Sequence, residues 1–282
     1  MTHHDIRVAL ETAVGIPHEA MRAAMQQSVA FAPAVIEVAQ SMAAGRLPLP
    51  HEEKLLRFGL HALAAARETS VCPAFLALLR RPAFELEWLF GEDRGPSIWQ
   101  LLLGLFDGND AAVRELVADP EVDDDVRGAL MQALAKLAWE GRASREELLA
   151  LLDRFDDDAL APVDSTAWFD WQEAILLLGA TDRIERVQRG WQAGRLEYSF
   201  GEIDRQDWLE QVRAAAEQPD DPQRFLTARL VPPDDPPQRR AGRPTHGAGQ
   251  VTHSATMSWR GSILHCGARF PRTGLSRRPT AC

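Results

Sequence analysis

The chain has 282 residues, enough for one large domain or two ordinary ones, with the composition of a globular protein: 45% hydrophobic and 26% charged. Its formal charge of −10 is unevenly spread, because residues 232–282 carry eight arginines against Asp234 and Asp235, a surplus of +6 that leaves −16 on residues 1–231. An acidic body repels nucleic-acid phosphates and anionic membranes; Cys72, Cys266 and Cys282 are too scattered for a disulfide framework; and no apolar run nears the roughly 18 residues of a membrane span.

Met1 to Asp5 shows no basic stretch leading into an apolar one, so a cytoplasmic protein is expected. Lysine occurs only at Lys54 and Lys136, and arginine supplies the remaining positive charge, as in GC-rich bacterial coding.

In chain order, helix signals fill the body and strand signals are almost absent. Pro17-His18-Glu19 opens a first helix with proline in the first turn, where its missing amide costs nothing. Further helices are predicted from Pro33 to Ala44, from His51 to Arg67, from Cys72 to Arg80 and from Ala83 to Phe90. Gly91 to Pro96 reads as a turn, followed by helices from Ser97 to Phe106 and from Asp110 to Ala118.

The clearest helix follows Asp124-Asp125. Val126, Ala129, Leu130, Ala133, Leu134 and Leu137 recur at three- and four-residue steps, which places them on one stripe. A carboxylate of Asp124 or Asp125 stands where it can cap the free amides, and Gly141 stands where a left-handed stop is needed. Gly128, Ala129 and Ala133 are small enough to let another helix come close. Ser144-Arg145-Glu146-Glu147 then reads as a reciprocal capping box, for a helix that dies in Asp156-Asp157-Asp158. Three more follow: from Asp164 or Ser165 through Trp171 to Leu178, from Asp182 to Trp191, and from Ile203 to Ala216.

Helix pairs with short connections, in units of roughly 35 to 40 residues, predict an all-α stack of antiparallel pairs, an α-solenoid. A compact helical bundle is the rival. The helical domain is expected to span 1–230. Residues 231–282, with seven of the 18 prolines and six of the 19 glycines in the last 51 positions, read as a disordered tail.

The run Asp124-x-Val126-Arg127-Gly128-Ala129-Leu130 with its following Ala133-Leu134 and Leu137 resembles the second helix of HEAT-type repeats. More specifically, residues 18 to 215 resemble the bacterial domain-of-unknown-function family 1186. The resemblance is carried by His51-Glu52 to Leu63, Pro82 to Gly91, Trp99 to Gly108, Leu116 to Pro120, the Val126 helix through Glu140-Gly141-Arg142, and Glu146-Glu147. It implies a HEAT-like fold and no assigned reaction. Members of that family often end in a short zinc motif with a Cys-x-Cys pair; this chain has only His265-Cys266 and Cys282, so that site is not carried over.

Candidate sites are few. Asp123-Asp124-Asp125 and Asp156-Asp157-Asp158 lack the glycine and distal glutamate of a calcium loop, and read as caps and a solvated loop. His51 and His61 stand ten apart without His-Glu-x-x-His, and Cys72 reads as a small buried thiol. No phosphate-binding glycine motif or nucleophile elbow occurs. No catalytic residue, cofactor or metal is therefore expected.

The tryptophans stand out. Trp168 and Trp171, with Trp191 and Trp208 on the following helices, could fill helix-pair cores or anchor a partner in a groove. Arg127 is expected in a polar ladder with acids of neighbouring repeats. The expected function is a binding scaffold for another protein or peptide, without catalysis, with Trp168, Trp171, Trp191 and Arg127 as candidate contacts. Two alternatives stay open: a metal-dependent hydrolase built on scattered Asp, Glu and His, and a nucleic-acid tether working through Arg239, Arg240, Arg243, Arg277 and Arg278 of the tail.

Overall fold

A computed structural model describes residues 1–91, 94–195 and 202–227. Among them the chain forms α1 (His3–Glu11), α2 (His18–Gln26), α3 (Ser28–Ala43), α4 (Pro50–Ala65), α5 (Cys72–Leu78), α6 (Ala83–Phe90) and α7 (Arg94–Leu105). It continues with α8 (Asp110–Ala118), α9 (Asp124–Trp139), α10 (Arg145–Asp157), α11 (Ala167–Leu177), α12 (Ile184–Gln192), α13 (Glu202–Glu217) and α14 (Gln223–Thr227). Short 3-10 turns, Thr69–Val71 and Thr181–Arg183, lead into α5 and α12. No strand occurs among the described residues, and the fold is all-α. The chain divides into Met1–Gln238, which holds every described residue, and Arg239–Cys282. The readings made for residues 231–282, including the basic arginines and His265-Cys266, lie outside the described residues.

Local chemistry moves several expected boundaries. Helix α1, which periodicity alone does not reveal, starts at a small reciprocal cap: Thr2 Oγ1 accepts from the Asp5 amide at 3.2 Å, and Asp5 Oδ2 accepts from the Thr2 amide at 2.8 Å. Helix α3 begins at Ser28 and carries Pro33 inside it. Arg94, Gly95 and Pro96 belong to α7 instead of a turn. The α9 cap is Asp123, whose carboxylate accepts from the Asp125 amide at 3.2 Å, one residue earlier than expected. At α10, Ser144 Oγ accepts from the Glu147 amide at 3.2 Å, but the Ser144 amide donates to Asp110 of α8 at 3.0 Å. A neighbouring helix thus replaces half of the expected capping box. Gly141, at φ +70°, closes α9 as expected.

The helices pack in two rows. In a front row, α4 packs on α7, α7 on α9, α9 on α11, and α11 on α13. In a back row, α3 packs on α5, α5 on α8, and α8 on α10, while α8 and α10 both pack on α9. Side-chain ties give the directions. Asp124 meets Ser165, and Gln132, two turns further on, meets Asp170, so α9 and α11 run parallel. Asp110 meets the Ser144 amide and Arg114 meets Glu147, so α8 and α10 also run parallel. Consecutive helices joined by short connections run antiparallel across the rows. These unit-to-unit ties span from 29 residues (Arg94 to Asp123) to 41 (Asp124 to Ser165), the signature of a stack in which each pair covers its neighbour.

Glycines set how closely the front row packs. A Cβ at Gly104 would overlap the Ala64 carbonyl, and one at Gly128 would overlap the Asp170 carboxylate, so α7 can sit on α4 and α11 on α9 only because both positions lack a side chain. Between the rows lies one continuous apolar core, from Ile6 and Leu10 to Val212 and Phe225.

Candidate functional site

Helix α9 carries more buried residues than any other described helix, and Arg127 is its largest buried polar side chain, 1% exposed. The guanidinium donates to the Val117 carbonyl at 2.9 Å and the Leu160 carbonyl at 2.7 Å, pairs with Asp124 at 3.2 Å, and lies over the Phe155 ring at 4.8 Å. Burial holds its pKa below the usual arginine value against the pull of Asp124. Arg127 therefore ties the segments before and after α9 through their carbonyls and bonds an acid of its own helix, where acids of neighbouring repeats were expected.

The three candidate tryptophans are interior as well. Trp168, Trp171 and Trp191 are 1%, 2% and 8% exposed. Their indole N–H groups donate to the Pro162 carbonyl at 2.7 Å, the Leu152 carbonyl at 2.8 Å and Gln172 Oε1 at 2.9 Å. Trp168 packs edge-on against Trp171, as Trp191 does against Trp208, each pair at 5.5 Å. Arg195 lies over Trp168 at 3.8 Å, and the space among these rings admits no water-sized molecule. All four candidate contacts thus lie inside the stack, where each polar tip finds its acceptor.

On the front flank of α9 and α11, the side facing away from the back row, several polar residues are half-buried among the described residues. Along α9, Asp125, Gln132 and Trp139 are half-buried and follow one face. On α11, Asp170 and Glu173 are also half-buried, one turn apart. Asp170 enters the space above Gly128 and accepts a hydrogen bond from the Gln132 amide. Glu173 has no hydrogen bond or ion pair among the described residues.

Protein surrounds both carboxyls closely. Burial, with Glu173 and Asp125 adding repulsion, pushes Asp170 up to about 7, and burial pushes Glu173 up to about 7. Neither acid has a cation three or four residues away on its own helix.

The lower end of this flank already holds a cation. Lys136 Nζ sits 4.1 Å from the Trp139 ring centre and 4.5 Å from that of Phe225, with Glu140 Oε1 at 3.4 Å. Phe225 comes from α14, and the Trp139 N–H donates to the Pro219 carbonyl at 2.7 Å, so the chain after α13 returns to α9.

Other candidates are structural. Asp156 and Asp157 lie in the last turn of α10, not in a solvated loop, and pair with arginines. Cys72 is buried, with its thiol pushed up to about 12 by burial and the neighbouring Asp107. His51 is exposed; His61 is half-buried and held below the usual histidine value by burial and by Arg57. Among the described residues no three His, Cys, Asp or Glu side chains converge as metal ligands. No helix there is long and apolar enough to cross a membrane.

Sequence reasoning passed over Asp170, Glu173 and Gln132. The available signal was Asp170-x-x-Glu173, two acids on one face of an otherwise apolar helix with no compensating base at helical spacing.

A family model described as a protein of unknown function (DUF1186) matches residues 4–219, which contain both rows of helices up to the loop after α13. The chain belongs to this family. No curated protein and no solved structure matches it.

Proposed function

We propose that this DUF1186 protein is a scaffold that holds another protein or peptide on the front flank of its stacked helices, without a reaction of its own. The supporting observation is how polarity is distributed. Arg127, Gln172 and the indoles of Trp168, Trp171 and Trp191 are used between helices, and Asp125, Gln132 and Asp170 tie α7, α9 and α11 along the front flank, where Glu173 is half-buried with no hydrogen bond or ion pair among the described residues. Parallel rods with outward polar groups present a ready-made docking face. In this reading the repeats are HEAT-like, residues 1–230 form the binding body, and residues 231–282 form a separate tail.

A photoreactive amino acid placed at Gln132, and in parallel at Glu115 of α8, tests the reading in cells. A defined protein adduct from position 132 and none from 115 is the expected result. The same diffuse adducts from both positions would reject the front flank as a docking face.

A second reading has one observation in its favour. Two carboxyls pushed up to about 7 are suited to proton transfer at neutral pH, as an acid–base enzyme requires. Its test is turnover of ester or glycoside substrates that disappears in Asp170→Asn.

A further inference from the structure

Resting on the scaffold reading, we propose that residues 219–227 are a releasable strap over the lower end of the front flank, and that the surface they cover takes a partner segment in which an arginine precedes an aromatic residue, as Arg224 precedes Phe225.

The strap shows what this surface holds. Phe225 is 1% exposed, with its ring centre 5.1 Å from that of Trp139 and 4.5 Å from Lys136 Nζ, so an indole and a cation form the walls of its seat. Arg224 donates to the Leu177 carbonyl at 3.3 Å, at the end of α11, where carbonyls without helical partners favour a cation. The Trp139 N–H holds the Pro219 carbonyl at 2.7 Å. A buried aromatic anchor beside an arginine is the composition of a binding hot spot, and here the chain supplies its own.

Several features make the strap separable from the stack. The family match ends at residue 219, so α14 lies beyond the matched helices. With five residues, α14 is too short to persist apart from the surface it rests on, and Pro219 and Pro222 set it off from α13. Between the strap, α11 and α13 lies a space of about 180 Å³, bordered by Leu176, Gln211, Ala214 and Arg224, with room for several waters; the space among Trp168, Trp171 and Trp191 admits none. Arg224 also stands near Arg145, which donates to the next carbonyl, Leu178, at 2.8 Å. Burial and Arg145 hold Arg224 below the usual arginine value, and Asp221 and Asp220 offset only part of this.

Trp139 shares its face of α9 with Gln132, so the strap covers one end of the face proposed for docking. A partner segment must displace it first, which makes the strap a tethered competitor for its own site.

The test follows, by fluorescence anisotropy, a labelled peptide copying Gln218 to Thr227 as the full chain or its Phe225→Ala variant is added. Saturable binding to Phe225→Ala is expected, with binding to the native chain weaker by about tenfold or more, because the tethered strap competes at high effective concentration. Alanine in place of the peptide's phenylalanine or arginine should weaken binding to Phe225→Ala by about tenfold or more. Equal affinity for the two chains would place the peptide elsewhere, and no saturable binding to Phe225→Ala would make the strap an inseparable part of the stack; either result overturns the proposal.

Circular dichroism checks that Phe225→Ala folds, and hydrogen exchange in the native chain decides the matter if it does not. The Phe225 amide and the Trp139 indole N–H should show protection about a hundredfold or more below that of the Leu130 and Leu134 amides inside α9, and equal protection would overturn the proposal. The scaffold reading is judged separately: a defined adduct at position 132 together with a failed titration keeps the docking face and rejects the strap.

Discussion

Helices α10 and α11 treat their acidic residues in opposite ways. On the back row, Arg183 and Arg186 reach Asp153 at 3.1 and 3.4 Å, and Arg186 reaches Asp156 at 2.6 Å with Arg195 on its other oxygen. Burial alone would raise Asp156, but hydrogen bonds from Arg195 and Arg186 outweigh it and hold the carboxyl below its usual range. On α11, Asp170 and Glu173 have no cation beside them among the described residues, and burial drives both up to about 7. The same residue types therefore serve as ion-paired bolts on α10 and, on α11, as acids without a cation among the described residues, whereas Asp125 of α9 sides with α10 because Arg94 lies 2.8 Å from it. The difference teaches that a carboxylate in a helical stack is structural where an adjacent repeat supplies its arginine, and available to a partner where none does.

The largest effect is expected from Arg127, which anchors the back-row logic in the core. Arg127→Met leaves the Val117 and Leu160 carbonyls without a donor and Asp124 without its cation, and should cost about 3 kcal/mol or more in chemical denaturation. Arg127→Lys should recover little, because one ammonium cannot reach three acceptors spread around a planar fork. Full recovery in the lysine variant would refute the strut role.

Next comes Gly128→Ala, in which the new methyl meets the Asp170 carboxylate. A loss of about 1–3 kcal/mol is expected, the range for overpacking a tight contact. Combining it with Asp170→Ala should return much of that loss, and the double-mutant cycle measures the coupling. Simple additivity would mean that the glycine is there for another reason.

The acid pair itself sharpens the contrast between the two sides. Asp170 and Glu173 start from 3.8 and 4.5 and sit near 7 when folded, so across that window the native chain holds protons that the unfolded chain has released. Stability should fall as pH rises from the ordinary carboxylate range to about 7 and change no further above it. Asp170→Asn/Glu173→Gln should accordingly raise the melting temperature at about pH 8 by ~2–4 °C, the shift that roughly 1 kcal/mol gives in a domain of this size. At about pH 4 the gain should vanish, since both acids are then protonated. The smallest effect is expected from Asp157→Asn on the exposed edge of the back row, below about 0.5 kcal/mol and diminished by salt.

The helical content, the small residues of α9 and the stop at Gly141 were legible in the sequence, because each follows from local spacing and backbone geometry. The caps were legible only in part. Asp123 and Asp124 are adjacent acids, and which one turns back on the helix depends on Arg94 drawing Asp123 and Ser165 drawing Asp124, contacts 29 and 41 residues away. Half of the capping box at Ser144 was lost to Asp110 for the same reason.

The tryptophans are satisfied within the fold. Residue type shows that an indole wants an apolar bed and one acceptor, and both needs are met inside the stack by the Pro162 and Leu152 carbonyls and by Gln172. The acids of α11 were the opposite case: unremarked in sequence, since their unpaired state appears only once the neighbouring helices are in place.

The most direct test of this account is a carbon-13 titration of the side-chain carboxyls of Asp170 and Glu173 in the full chain, with Asp156 as internal reference. Midpoints near 7 for the front pair, with Asp156 below the usual carboxylate range, are the result the account requires. Midpoints near 4 for Asp170 and Glu173 would show them to be ordinary solvated acids, and the distinction between the two sides of the stack would be lost.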